Sequence, residues 1–349
     1  MALDHNIIIY TDEGRLIMMI NTLIKTKKEE FKSNKFVDLP GMNEVEEKLY
    51  SAISDSHGYT YEICSQLITA GGKRIRPLLV LSSAQCFGPL NSDVINSAVA
   101  CELVHMASLV HDDIIDQSTL RRNRPSIHVQ YGNQASVLVG DYLFAKAFEI
   151  LSTNKLFECL NLVVEAIGEM CDGEIAQARN RYNLNQTARE YYKRIYEKTG
   201  ILMAACCQAG ALTGGASLNS IKSLQSYGEY IGYAFQIIDD IMDFTGDTKV
   251  LGKPVGSDLR EGNITLPIIK LVEQKKYKDL IGDFLRGEIT DDIYTIVLRE
   301  LHDNFAIEQS YREAENCIQK AKDALCLLEE SEYKSILMTM ASKILNRID

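Results

Sequence analysis

Tryptophan is absent from this chain of 349 residues, and proline occurs only six times. No long proline, serine or glycine tract is present, so nothing in the composition marks a linker that would divide the chain. The nine cysteines are odd in number and scattered, and none forms a CxxC pair. They are read as reduced thiols of a cytoplasmic protein. Positive charge is in deficit, with 37 Lys and Arg against 48 Asp and Glu, a net charge of −11. That balance excludes the basic surface expected of a nucleic-acid binder. The N-terminus carries Asp4 where a signal peptide needs a base, and its apolar run, Ile7 to Tyr10, is too short for one. No stretch is expected to reach the apolar length of a membrane span. Internal repeats at solenoid spacing are also missing.

What is present is a large apolar fraction, 46%, with helical periodicity. From Ser97 to Asp116 the apolar positions Val99, Leu103, Met106, Val110 and Ile114 recur every three or four residues. The stretch from Gln225 to Phe244 behaves alike. Breaks fall at Gly71-Gly72, Phe87 to Pro89, Asn123 to Pro125, Gly214-Gly215 and Gly252 to Pro254. No convincing series of alternating strands appears. The expectation is an all-α bundle of ten or more helices. Residues 1–40, with a Lys/Glu-rich patch from Lys25 to Lys32, are read as a solvated helical extension, and 41–349 as a single catalytic domain.

Two segments share one aspartate pattern, HDDIID at 111–116 and IDDIMD at 238–243. In each, the outer aspartates are four residues apart and so share a helical face: Asp112 with Asp116, Asp239 with Asp243. A single such motif is commonly a solvated face. Here both copies sit in very apolar helices, where an unpartnered carboxylate is costly. Two carboxylates at this spacing suit magnesium, which takes a few carboxylates and completes its shell with water and phosphate oxygens.

Three basic clusters supply what a diphosphate needs. They are Gly71-Gly72-Lys73-Arg74-Ile75-Arg76, Arg121-Arg122-Asn123-Arg124, and Gly252-Lys253-Pro254. Arginine forks match phosphate oxygens in pairs, and lysine acts as a point charge. The first cluster alone would read as a turn with surface cations, and it lacks the spacing of a P-loop. His105 lies two turns before Asp112 on the same face; spacing alone leaves open a core histidine or a diphosphate contact.

With these motifs in order, the sequence strongly resembles the trans-isoprenyl diphosphate synthases. The resemblance rests on GGKRIRP, LVHDDIID followed by STLRRNRP, the Lys198-Thr199-Gly200 triplet, FQIIDDIMD and GKPVGSDLREGNITLP, which together span about Leu67 to Pro267. MASLVHDDIID and NLNQTAREYYKRIYEKTG look most like longer-chain members, the catalytic component of heptaprenyl diphosphate synthases in particular.

The resemblance implies an all-α isoprenoid-synthase fold, usually dimeric, with a central cavity. It implies that Asp112 and Asp116 bind magnesium on one wall and Asp239 on the other, with Asp243 in support. By the same match Lys73, Arg76, His105 and Arg122 hold isopentenyl diphosphate, and Arg121, Lys198 and Lys253 hold the allylic diphosphate. Thr199 and Gln236 sit beside the reacting carbons. The family's basic C-terminal tail is not matched by Asn346-Arg347-Ile348-Asp349. Ala107 and Ser108, one turn before Asp112, are small where a shorter-chain enzyme would place a bulky floor; close helix packing is the other use of small residues there. Further partners implied are a second copy of the chain, a small helper subunit, and a membrane surface that a lipid product would favour.

Three rivals remain at this level. A short-chain geranylgeranyl or farnesyl diphosphate synthase would share every motif. A terpene cyclase would need no second diphosphate site, and a non-catalytic regulatory subunit would have lost aspartates or cations; neither is the pattern here.

Overall fold

The computed structural model describes residues 39–121, 124–246, 255–274, 276–285 and 291–346. The Lys25–Lys32 patch and nearly all of the expected N-terminal extension lie outside the described residues, as do Arg122, Lys253 and the final three residues. From Pro40 onward the chain forms one compact unit.

The described elements are almost wholly helical. In order they are α1 (Met42–Ile53), α2 (Gly58–Thr69), α3 (Ile75–Gln85) and α4 (Ser92–Ile115), then the two-residue strands β1 (Leu120–Arg121) and β2 (Arg124–Pro125). Helices α5 (Ile127–Tyr131), α6 (Asn133–Thr153), α7 (Phe157–Arg179) and α8 (Ala188–Ile195) follow. A π-helical turn, Tyr196–Gly200, joins α8 to α9 (Ile201–Thr213), which precedes α10 (Leu218–Thr245). The chain continues through α11 (Ser257–Arg260), α12 (Leu266–Val272), α13 (Lys276–Leu285), α14 (Asp291–Asp303), α15 (Ala306–Ala324) and α16 (Glu332–Leu345). The strands pair antiparallel, Leu120 with Pro125 and Arg121 with Arg124, as a minimal hairpin.

Helix α4 is the axis of the bundle. Asn91 starts it, its side chain accepting from the backbone N–H groups of Asp93 and Val94 at 2.9 Å each. Apart from Glu102, His105 and the His111–Asp113 stretch, its central residues are apolar or small, which is the pattern of a buried helix. Val94, Ala98, Leu103, Val104 and Ala107 are fully buried. By length and composition α4 reaches what a membrane span needs, contrary to the sequence expectation; 78% of the qualifying stretch is buried inside the protein, because α3, α6 and α9 pack around it.

Helix α9 sits between α3 and α10, and small residues let these backbones touch. A Cβ on Gly210 would fall 2.2 Å from the Val80 carbonyl oxygen, and one on Gly228 would fall 2.6 Å from Ala204 Cα. Helix α10 begins at Ser217, whose hydroxyl accepts from Ser220 N–H, and its outer side packs on α15. Each fully buried Leu or Ile in this core contributes about 1.5–3 kcal/mol.

Candidate active site

The C-terminal half of α4 and that of α10 face a single cavity of about 830 Å³. His105, Ser108, Asp112 and Asp116 line it from α4, and Phe235, Gln236, Asp239 and Asp243 from α10. The two aspartate motifs that are 127 residues apart in sequence (112 against 239) are thus brought to one cavity. The i, i+4 geometry holds: the N–H of Asp116 donates to the Asp112 carbonyl at 2.8 Å, closing the last turn of α4.

The glycine turn before α3 brings up the cations. Gly71 and Gly72 have φ of 67° and 155°, and Arg74 is left-handed at 48°. Lys73 and Arg76 then line the cavity. Arg74 does something the sequence did not disclose. Its guanidinium turns inward, donating to Glu46, to Glu102 Oε1 at 2.9 Å and to the Ile68 carbonyl at 3.0 Å. It braces the turn while bordering the cavity beside Lys73.

The π turn supplies the third wall. Lys198 and Thr199 are consecutive, so on an ideal α-helix they would point about 100° apart. The wider turn lets both line the cavity, a use typical of π-bulges at functional sites. Lys198 Nζ lies 3.5 Å from Glu174 on α7. Burial works against its charge, but Glu174, Asp116, Asp112 and Asp258 outweigh it and hold the ammonium above its ordinary pKa.

The carboxylates feel the reverse balance. Burial pushes Asp112 up to about 6, Glu174 and Asp116 add to the push, and Lys198 and Arg121 only partly offset it. Asp116 is raised in the same sense, burial again leading. Negative charge crowded in this way favours a cation. Among the described residues no three metal-ligating side chains already form a cage. The donor set, hard oxygens from two helices without sulfur, fits magnesium that brings its own water and shares phosphate oxygens.

Three of the expected residues have further surroundings. Asp243, expected to support metal binding, has both carboxylate oxygens engaged by the chain. Oδ1 accepts from the Ser257 hydroxyl at 2.9 Å and Oδ2 from Asp258 N–H at 3.1 Å. At 1% exposed it anchors the segment after α10 and brings Asp258 to the cavity. Ala107 is fully buried among the helices and does not border the cavity, whereas Ser108 does. Arg121 reaches the cavity but is already paired: its Nε donates to Asp113 Oδ1 at 2.9 Å, and its terminal nitrogen to the same oxygen.

Several residues of the site were missed in the sequence. Gln177 on α7 and Arg194 on α8 line the cavity, and Glu174 on α7 meets Lys198 beside it. Arg194 donates to the Gln186 side chain at 2.9 Å and the Ile264 carbonyl at 2.7 Å. Each is one polar residue on an amphipathic helix, so the sequence carries no signal that separates it from a solvated face. Asp240 is buried and hydrogen-bonded by Tyr191 and Gln236; burial, with Asp258 nearby, nevertheless pushes its carboxyl up to about 7.

Comparison with known proteins agrees with this geometry. Over 299 residues the chain is 41% identical to heptaprenyl diphosphate synthase component 2 of Geobacillus stearothermophilus, covering 85% of this chain and 92% of that one. It is 39% identical to a short chain isoprenyl diphosphate synthase of Methanothermobacter thermautotrophicus, over 86% and 95% of the two chains. A polyprenyl synthase from Caulobacter crescentus, solved as a complex with calcium and isoprenyl diphosphate, superposes with a TM-score of 0.83 at 31% identity, over 90% of this chain and 98% of that one. Residues 57–297, which carry both aspartate helices, the glycine turn and the π turn, match polyprenyl synthetase, and the chain belongs to that family of trans-prenyl transferases.

Proposed function

We propose that this enzyme condenses isopentenyl diphosphate head-to-tail with an allylic diphosphate to a medium- or long-chain product, heptaprenyl diphosphate, destined for a quinone side chain. The observation that carries the reaction is the cavity itself. Aspartates from two helices and cations from two further segments line one cavity, which provides for two diphosphates rather than one. A cyclase would have no use for the Lys73–Arg76 side, and a regulatory subunit no use for a full set of aspartates.

Asp112, Asp116 and Asp239 would hold magnesium. When bound, that ion neutralises the leaving diphosphate as a Lewis acid. Lys198 adds a fixed positive charge to the same leaving group. Lys73, Arg76 and His105 hold isopentenyl diphosphate so that its double bond faces the allylic carbon. Phe235, Leu109 and Leu202 exclude water from the cation that forms. Thr199 and Gln236 present dipoles to it. No side chain is placed as a nucleophile, and the released diphosphate is the base that takes the final proton. Arg122 and Lys253 belong to the same proposal, as contacts to isopentenyl and allylic diphosphate respectively.

The two diphosphate sites separate kinetically. Lys73→Ala and Arg76→Ala raise the Michaelis constant for isopentenyl diphosphate about tenfold to a hundredfold, the equivalent of losing about 1.5–3 kcal/mol of charge-assisted binding. Lys253→Ala acts on the allylic substrate instead. Steady-state titration of each substrate checks this, and equal effects on both from every variant refute the assignment.

Product length is supported by the resemblance to heptaprenyl synthase component 2 and by the small side chain of Ser108 at the cavity wall. A turn of helix rises about 5.4 Å, close to one isoprene unit, so each open turn of α4 above Asp112 admits about one more addition, toward about C30–C40. Ser108→Phe is expected to shorten the product to about three or four units, and Ala107→Tyr to do so only by forcing α4 toward the cavity, with about 1–3 kcal/mol lost to overpacking. Chromatography of the products, from the purified chain alone and with cell extract added, reads both the length and any need for a helper subunit. The 39% identity to a short chain synthase favours one rival, a geranylgeranyl or farnesyl product; wild-type protein that stops at four units or fewer establishes it. The functional unit is proposed to be a cytoplasmic homodimer, with a small helper subunit and a membrane surface as the further partners.

A further inference from the structure

Four side chains, three of them in the cavity wall, form one continuous hydrogen-bonded line. The Thr199 hydroxyl donates to Gln236 Oε1 at 2.9 Å. The Gln236 amide donates through Nε2 to Asp240 Oδ1, also at 2.9 Å. Tyr191 Oη donates to Asp240 Oδ2 at 2.7 Å. Tyr191 is fully buried, and Asp240, although it borders the cavity, is only 3% exposed. The outer end, Thr199, opens on the cavity.

The direction of this line is set at its Asp240 end. As found, both oxygens of Asp240 accept, one from Gln236 and one from Tyr191, while a primary amide has one accepting and one donating end. Turned over, Gln236 would set its carbonyl against the Asp240 carboxylate and leave two acceptors face to face in a buried place, which is strongly unfavourable. The amide therefore keeps its carbonyl toward Thr199, and the threonine hydroxyl spends its one proton on that carbonyl. What Thr199 turns to the cavity is lone pairs.

We infer that Asp240, backed by Tyr191, is a positioning residue that fixes the sign of the dipole at Thr199, so that positive charge developing on the allylic carbon meets oxygen lone pairs and never the O–H. The inference rests on the prenyl-transfer reading above. A hydroxyl free to rotate would have to reorient as the carbon–oxygen bond breaks. One held by a buried carboxylate two bonds down the line is already oriented, the condition under which a dipole accelerates a reaction most. It also gives a use to the second aspartate of the α10 motif, whose neighbour Asp239 faces the metal side.

The test is the single-turnover rate of the first condensation, with magnesium, isopentenyl diphosphate and farnesyl diphosphate as probes, in a cycle of substitutions. Asp240→Asn replaces an acceptor-only group by an amide that pairs with either end of Gln236. It lowers the rate on the order of a hundredfold, the loss typical of one misoriented electrostatic group. Both Michaelis constants stay within about twofold, since only the transition state is affected. Tyr191→Phe deletes one hydroxyl far from substrate and lowers the rate about tenfold. In a Thr199→Val background, where no hydroxyl remains to be oriented, each substitution costs less than about threefold. In Thr199→Ser, which restores a hydroxyl, each regains its full effect. The same loss in Thr199→Val as in the wild type overturns the inference, because Asp240 then acts through the fold alone. Should Asp240→Asn fail to fold, the Tyr191→Phe cycle decides by the same criterion. Wild-type protein that condenses nothing ends both the prenyl-transfer reading and this role, whereas an active wild type with additive substitutions ends this role only.

Discussion

Asp112→Ala and Asp239→Ala are each expected to lower turnover by about a thousandfold or more, because several kcal/mol of leaving-group stabilisation pass through these two carboxylates. Folding should survive, and Asp112→Ala should melt at a higher temperature than the wild type in buffer free of divalent ions. The carboxyl of Asp112 is pushed from its ordinary value near 3.8 to about 6 by burial and by Glu174 and Asp116. A folded-state pKa raised in this way contributes stability below about 3.8 that is lost as pH rises through about 6. Above that pH the folded protein carries a charge it holds at a cost, and the alanine variant does not. The gain in melting temperature is therefore expected at pH 7 to 8 and should vanish near pH 4. Addition of magnesium should raise the wild-type melting temperature and leave that of the variant nearly unchanged. Full activity in either variant at limiting magnesium would remove these residues from the metal site.

Gly232→Ala is expected to have the second largest effect, although Gly232 touches no substrate. A Cβ there would lie 2.5 Å from Gly200 Cα and 3.1 Å from Gly200 N. Both are backbone atoms, so no side chain can swing aside. Either α10 or the π turn must retreat, and Gly200 is the residue directly after Lys198 and Thr199. Overpacking of this kind costs about 1–3 kcal/mol. Displacement of catalytic groups by about 1 Å costs about a hundredfold in rate. Both should appear together, the first by thermal or denaturant unfolding and the second by single-turnover kinetics. A variant with wild-type turnover would show that the contact relaxes without displacing the site residues of either element.

Much of this arrangement is legible in the sequence because it repeats with the period of a helix. Asp112 and Asp116 declare a shared face by spacing alone, and the apolar residues between them declare that the face looks inward. The parts that stay illegible depend on departures from that period or on contacts across long separations. Arg74 reads as one more phosphate ligand until its left-handed backbone turns it to Glu46 and Glu102. Lys198 and Thr199 are adjacent, and only a π turn explains how both meet one cavity. Asp243 follows the metal-binding spacing as faithfully as Asp116, yet a turn fourteen residues later, at Ser257, takes its carboxylate. Helix α4 shows the opposite failure. Its composition would suit a membrane, and only the helices packed around it show that it is buried in protein.

The paired aspartates have a consequence for how such motifs tolerate insertions. In Asp112-Asp113 the first residue faces the cavity and the second holds Arg121. In Asp239-Asp240 both border the cavity, and the second also holds Gln236 and Tyr191. Ligand and brace are thus the same side chain at successive positions. One inserted residue upstream in either helix rotates the remaining turns by about 100°. It would turn the ligand toward the brace's partners and leave the residue before the doublet at the ligand's place, while the letters of the motif read as before. A homologous sequence that keeps both doublets but has gained or lost one residue within α4 or α10 should therefore be counted as having lost the site.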